Sequence, residues 1–160
     1  MKPLSALVVL ALLATVAVGC GNGGDDSVPE AVVSGLQRGA FVDRADRICV
    51  QGRKQLILTG NRYFGAERKP SDAEVTAYAR TEAIPILTRQ YRRLRELQPP
   101  AGDRRGIDRI LDLAESGIAQ LRADPTLLNR GRGVPPDLER ARRRAFLYGL
   151  GACGQPFRTG

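Results

Sequence analysis

Cysteine, the carboxylates and arginine are the residue types in this chain that could carry chemistry. Histidine is absent, which removes the commonest general base, the usual partner of a nucleophile and the commonest zinc ligand. The cysteines are Cys20, Cys49 and Cys153. They show no C-x-x-C spacing and no third sulfur close by in sequence, so they do not read as a zinc site, and neither metal nor cofactor is expected. Asp108, Asp112 and Glu115 recur along one side of a helical stretch. They would suit a cation or an acid–base pair, but one helix face offers too few converging oxygens for a metal. Arg104, Arg105 and Arg109 stand at ion-pairing distance from Asp108 and Asp112, so an exposed, paired face is the plainer expectation. Glu82, beside Pro85, would be an acid of raised pKa if buried, yet glutamate is almost never fully buried unless paired. Arg140, Arg142, Arg143 and Arg144 form the densest basic run. Such a run can bind anionic lipid headgroups or cell-wall polymer; its bland alternative is the solvent side of a helix. No stacking aromatics are interleaved with it, which argues against single-stranded nucleic acid as a partner. No nucleophile elbow, P-loop, dinucleotide-binding glycine pattern or EF-hand loop is present.

These residues must be positioned by a small scaffold. The chain has 160 residues, enough for one domain, with a formal charge of +8 and a pI near 10.1. Aromatics make up only 5% and tryptophan is absent, so the core must be built from Leu, Ile, Val and Ala. That favours helices over a sandwich or barrel, which draws on β-branched and aromatic residues.

Lys2 and the amino group precede an apolar run from Leu4 to Val18, broken only by Ser5 and Thr15. This is short for a membrane-spanning helix and suits the h-region of a signal peptide. The run ends Ala17-Val18-Gly19-Cys20, which resembles the lipobox of bacterial lipoproteins. The resemblance implies that Cys20 receives a diacylglycerol and becomes the mature amino terminus. The position three before the cysteine is usually Leu in that motif and is Ala17 here. Ala17 and Gly19 also satisfy ordinary secretory cleavage, which would cut at the same bond without adding lipid, and an uncleaved anchor is the third reading. The polar stretch Gly21 to Ser27 then reads as a tether between bilayer and domain. The expected organisation is signal peptide 1–19, lipid-anchored flexible tether 20–39, helical domain 40–154 and tail 155–160. The expected location is the outer face of the cytoplasmic membrane.

If Cys20 carries lipid, Cys49 and Cys153 are left to pair, and an exported protein lies where disulfides persist. The alternative is two buried free thiols packed as small hydrophobes. Apolar periodicity predicts a helix from about 40, with Phe41, Ala45, Ile48, Cys49, Gly52, Leu56, Thr59 and Tyr63 on one face. Residues 28–38 show no clear period and read as a loose arm. Ser71 and Glu74 form a capping-box signature for a second helix reaching about Gln98, with a kink at Pro85. A third helix is expected over roughly 103–122, ahead of Asp124-Pro125. A fourth begins near Pro136 or Asp137, with Leu138, Ala141, Ala145, Tyr148 and Ala152 inward and Cys153 at its end. The expected fold is an all-α, antiparallel four-helix bundle tied by one disulfide. In such a bundle the start of the first helix lies beside the end of the fourth, where Cys49 and Cys153 can meet.

The stretches FVDRADRICVQG, IPILTRQYRRLRELQPPAGD and YGLGAC resemble a group of small exported helical proteins of high-GC Gram-positive bacteria. The resemblance covers most of 40–154 and implies an all-α fold with a Cys49–Cys153 pair; it implies no defined activity. The expectation is therefore a non-enzymatic envelope lipoprotein with an interaction or scaffolding role. Its partners would be the membrane through the lipid, and anionic lipid, cell-wall polymer or an envelope protein, but not nucleic acid. The alternative is a small-ligand module with a pocket lined by Ile84, Leu87 and Tyr91.

Overall fold

The computed structural model describes residues 30–65, 69–129 and 133–156, with side chains from Gln37 onward. Five α-helices are named here in chain order: α1 (Glu30–Phe64), α2 (Asp72–Tyr78), α3 (Ile84–Arg95), α4 (Arg104–Ala123) and α5 (Pro136–Tyr148). A π-helical turn, Ala79–Ala83, joins α2 to α3 without a break. The four rods α1, α2–α3, α4 and α5 pack antiparallel, and no strand occurs among the described residues. The expected all-α bundle is the observed one.

Side-chain pairs fix the sense of each packing. The middle of α1 meets late α3 where Gln51 Oε1 accepts from Arg93 at 2.9 Å, and late α1 meets α2 where Tyr78 Oη donates to the Leu56 carbonyl at 2.8 Å. Late α3 meets early α4 where Arg95 reaches Asp112, and late α4 meets early α5 where Gln120 donates to Asp137 at 2.9 Å. Late α5 returns to early α1, with the Phe41 and Tyr148 rings edge to face at 6.2 Å. Buried residues from α1, α3, α4 and α5 merge into one cluster that includes Ile48, Leu87, Ile110, Leu121 and Leu138.

Four local outcomes depart from expectation. First, α1 begins at Glu30, so the stretch read as a loose arm is helical from Glu30 and the expected tether is shorter than 20–39. Once the buried face from Phe41 to Cys49 has nucleated the helix, each further residue gains a hydrogen bond for one residue ordered, and an acidic first residue suits the dipole. Second, the helix meets Pro85 with a π turn just upstream of it. The Ile84 N–H donates to the Ala79 carbonyl, five residues back instead of four, and Pro85 falls in the first turn of α3, where a missing N–H costs least. Third, Tyr63 does not enter the core; it is exposed and meets Phe64 and Tyr78 ring to ring. Fourth, α5 stops at Tyr148, so Ala152 and Cys153 lie beyond its end. The Ser71–Glu74 capping box forms as read, with Ser71 N–H donating to Glu74 Oε2 at 2.9 Å and Glu74 N–H to Ser71 Oγ at 3.3 Å.

The end of α5 has a definite cause. Gly149 is left-handed, at φ 107°, where a side chain would be strained. Its N–H donates to the Phe146 carbonyl at 3.0 Å, and the Leu150 N–H to the Ala145 carbonyl at 2.9 Å. This is a Schellman cap, and the buried Leu150 supplies its apolar contact. The chain reverses there and carries Cys153 back to α1.

Candidate functional site: the tied, arginine-rich end of the bundle

The stretch of α1 from Arg38 to Arg53, the end of α3, the start of α4 and the end of α5 converge at one end of the bundle. Cys49 and Cys153 are joined there, with Cα atoms 5.1 Å apart and 104 residues between them in sequence. The turn that carries Cys153 is also held by polar contacts from α1. Asp46 Oδ1 accepts from the Ala152 N–H at 2.9 Å, and Arg53 donates to the Ala152 carbonyl and to Gln155. Gln90 of α3 donates to Cys49 Sγ at 3.4 Å and lies tight against Gly52, where an added Cβ would meet its Oε1 at 1.8 Å. The glycine in the inward stripe is therefore a place for Gln90 to lie.

Beside the disulfide sits a second polar knot. Tyr148 Oη donates to Asp103 Oδ2 at 2.6 Å. The Arg38 guanidinium lies 4.4 Å from the Tyr148 ring centre, donates to the Tyr148 carbonyl at 3.1 Å and stands 3.7 Å from Asp103. Burial, reinforced by the Asp103 carboxylate, pushes the Tyr148 phenol well above its ordinary value. Burial alone pushes Tyr91 up to about 12. A tyrosine whose phenol pKa is raised by folding keeps its proton longer in the native state than in the unfolded chain. Its stabilisation is complete below pH 10 and is lost as pH climbs through the folded value. Alkaline unfolding is therefore expected to set in above pH 10, and Tyr91→Phe should blunt it. Denaturation midpoints measured between pH 8 and 12 check this, and a midpoint flat across that range would contradict it.

The basic run divides into two pairs. Arg142 is held by Glu139 and donates to the Gly154 carbonyl at 2.7 Å, so it ties α5 to its own C-terminal turn. Arg140 pairs with Asp137, which also accepts from Ser116 at 2.7 Å and from Gln120. Arg143 and Arg144 are exposed, and among the described residues no ion pair engages them. The four-arginine run is thus split between Arg140 and Arg142, held in ion pairs, and Arg143 and Arg144, exposed and outside them, because a helix turns neighbours in sequence to different flanks.

The acids of α4 pair across helices. Arg95 of α3 contacts Asp112 and Glu115, both at 2.8 Å, in place of the expected Arg109–Asp112 pair within α4. Asp108 is exposed and Glu82 half-buried. Among the described residues no three metal-ligating side chains cluster. Ile84, Leu87 and Tyr91 are buried in the core, and of the three Tyr91 borders both an interior void and a surface groove while Ile84 and Leu87 border neither. An interior void between Phe41, Tyr91, Ile107 and Leu150 is about 10 Å³, room for a water at most. An open groove of about 500 Å³ runs between α3 and α4, lined by Thr88, Arg92, Arg95, Glu115 and Arg122 among others. Arg122 already donates to Thr88 at 2.7 Å and Arg95 is engaged by two acids, so this groove is largely self-satisfied.

No family model, no curated protein and no solved structure matches this chain. No helix of the described residues is long and apolar enough to cross a membrane, and the apolar run Leu4 to Val18 and Cys20 lie outside those residues. Two features of this end escaped the sequence reading. The Schellman cap was visible in Tyr148-Gly149-Leu150, where a glycine follows the last periodic position. The exposure of Phe146 and Leu147 was legible only as their absence from the inward stripe.

Proposed function

We propose that this protein is a non-enzymatic lipoprotein of the bacterial envelope, anchored through Cys20 to the outer face of the cytoplasmic membrane, with an interaction or scaffolding role. The observation that carries the reading is the Cys49–Cys153 disulfide. It uses two of three cysteines and suits an oxidising compartment, which leaves Cys20, at the end of the apolar run, for lipid. A scaffolding role is supported by a filled interior and by acids engaged in ion pairs with arginine. A pocket inside the bundle has no comparable support.

The test is the intact mass of protein extracted from membranes, taken with and without reductant. The expected mass is that of the chain beginning at Cys20 plus the diacylglyceryl group, rising by two hydrogens on reduction. A chain beginning at Cys20 without lipid would overturn the anchor and leave a secreted protein with one free thiol.

A further inference from the structure

Two features of the bundle's tied end stand outside its core. Phe146 and Leu147 are 62% and 78% exposed, the most exposed large hydrophobic side chains described. Arg104 and Arg105 occupy the first turn of α4, which holds no acid. Cations there oppose the helix dipole. The Tyr148–Asp103 hydrogen bond brings these two places together, since Asp103 directly precedes Arg104 and Tyr148 directly follows Leu147. Arg143 and Arg144, both exposed, flank the apolar pair on α5.

We infer that this end of the bundle docks onto anionic phospholipid, with Phe146 and Leu147 entering the headgroup region and Arg104, Arg105, Arg143 and Arg144 pairing with lipid phosphates. The inference rests on the proposed anchor, which selects the same end. α1 leaves the bundle at that end beyond Arg38, and Cys20 stands ten residues before Glu30. Ten residues reach at most about 33–36 Å. The helical stretch from Glu30 to Arg38 extends only about 12 Å past the bundle, so the tether is long enough for the tied end to touch the bilayer. Arginine beside exposed Phe and Leu is the composition of an interfacial surface, and lipidated proteins commonly need a basic patch as a second membrane signal. A cell-wall polymer would satisfy the arginines but offers no apolar phase for Phe146 and Leu147.

The absence of tryptophan gives a direct probe. In L147W the indole is the only one, at a position exposed enough to accept it. The full lipidated protein is reconstituted in vesicles of phosphatidylcholine, alone or with phosphatidylglycerol, with brominated lipid as quencher. The expected result is a blue shift and strong quenching in phosphatidylglycerol vesicles, both weak in pure phosphatidylcholine. Adding R143Q and R144Q should shift the docked-to-undocked ratio by about thirtyfold, at about 1 kcal/mol per charge. A probe at I57W, on the outer face of α1, should stay unquenched. A vesicle-bound protein whose L147W indole is unquenched overturns the docking and leaves the anchor standing. If the mass shows no lipid, the same chain is added to the vesicles from solution, where quenching sustains the docking and its absence overturns it. A blue shift without lipid that grows with protein concentration assigns the surface to a second copy of the chain and also overturns it.

Discussion

The variant with both Cys49→Ala and Cys153→Ala is expected to lose about 4 kcal/mol of stability. The disulfide spans 104 residues, and closing a loop of that size removes about 4.7 kcal/mol of chain entropy from the unfolded state, with measured values commonly below that ceiling. Nearly all of the helical core lies inside this loop, so the cross-link constrains the whole unfolded domain. Asp46 and Arg53 still hold the Ala152 turn after the cysteines are gone, and the two alanines remain in an apolar setting. The native fold is therefore retained with a lower threshold. Urea unfolding of the full chain would measure the loss, and for a domain near 100 residues the melting temperature should fall by about 15–30 °C. A loss under about 1 kcal/mol would mean that the polar clamp, and not the covalent bond, closes the domain.

Gly117 is the second place where one change should have a large effect. A Cβ added there would stand 2.6 Å from the Leu138 backbone nitrogen, 2.7 Å from its Cβ and 2.9 Å from its Cα. These are atoms of α5 itself, so no side chain can rotate away, and the helix must move. Leu138 is only 1% exposed and sits in the α4–α5 seam. Helix propensity favours alanine over glycine by about 1 kcal/mol, while forcing extra carbon into a packed seam costs about 3 kcal/mol. Packing wins, and G117A should be destabilised by about 2 kcal/mol net. In G117L the same separation must admit three more carbons, and a loss above 3 kcal/mol is expected. Gly106, which has nothing within 4 Å of its added Cβ, supplies the control on the same helix: G106A should gain the propensity term. Parallel chemical denaturation of the three variants checks the signs, and a stabilised G117A would show that α5 yields freely.

These two sites differ in how readable they were. The inward stripe of α4, from Ile107 through Ile110, Leu111, Ala114, Ile118 and Leu121, is periodic enough that its helix appears within a residue or two of expectation. The Ser71 cap is local, so neighbours in sequence fix it. Gly117 carries no local signal, because nothing near it in sequence says that Leu138 will lie against it. Arg95 bridging Asp112 and Glu115 was unreadable for the same reason: several arginines stand at pairing distance along the chain, and packing α3 on α4 selects one that is remote.

The sequence by itself determined the helical class, the four rods, the half of the residues that turns inward, and the pairing of Cys49 with Cys153 once the bundle is taken as antiparallel. Periodicity and caps are local properties, and an apolar stripe must be buried wherever the helix goes. Only the tertiary structure decided which surface side chains are spent on the fold and which are left free. Arg142 and Arg140 are bound while Arg143 and Arg144 are not. Phe146 and Leu147 stay outside because they lie off the α5 face of Leu138, Ala141 and Ala145, and Leu150, turned inward after Gly149, fills the core at that end. Such assignments depend on distances between segments far apart in the chain, which no local pattern encodes.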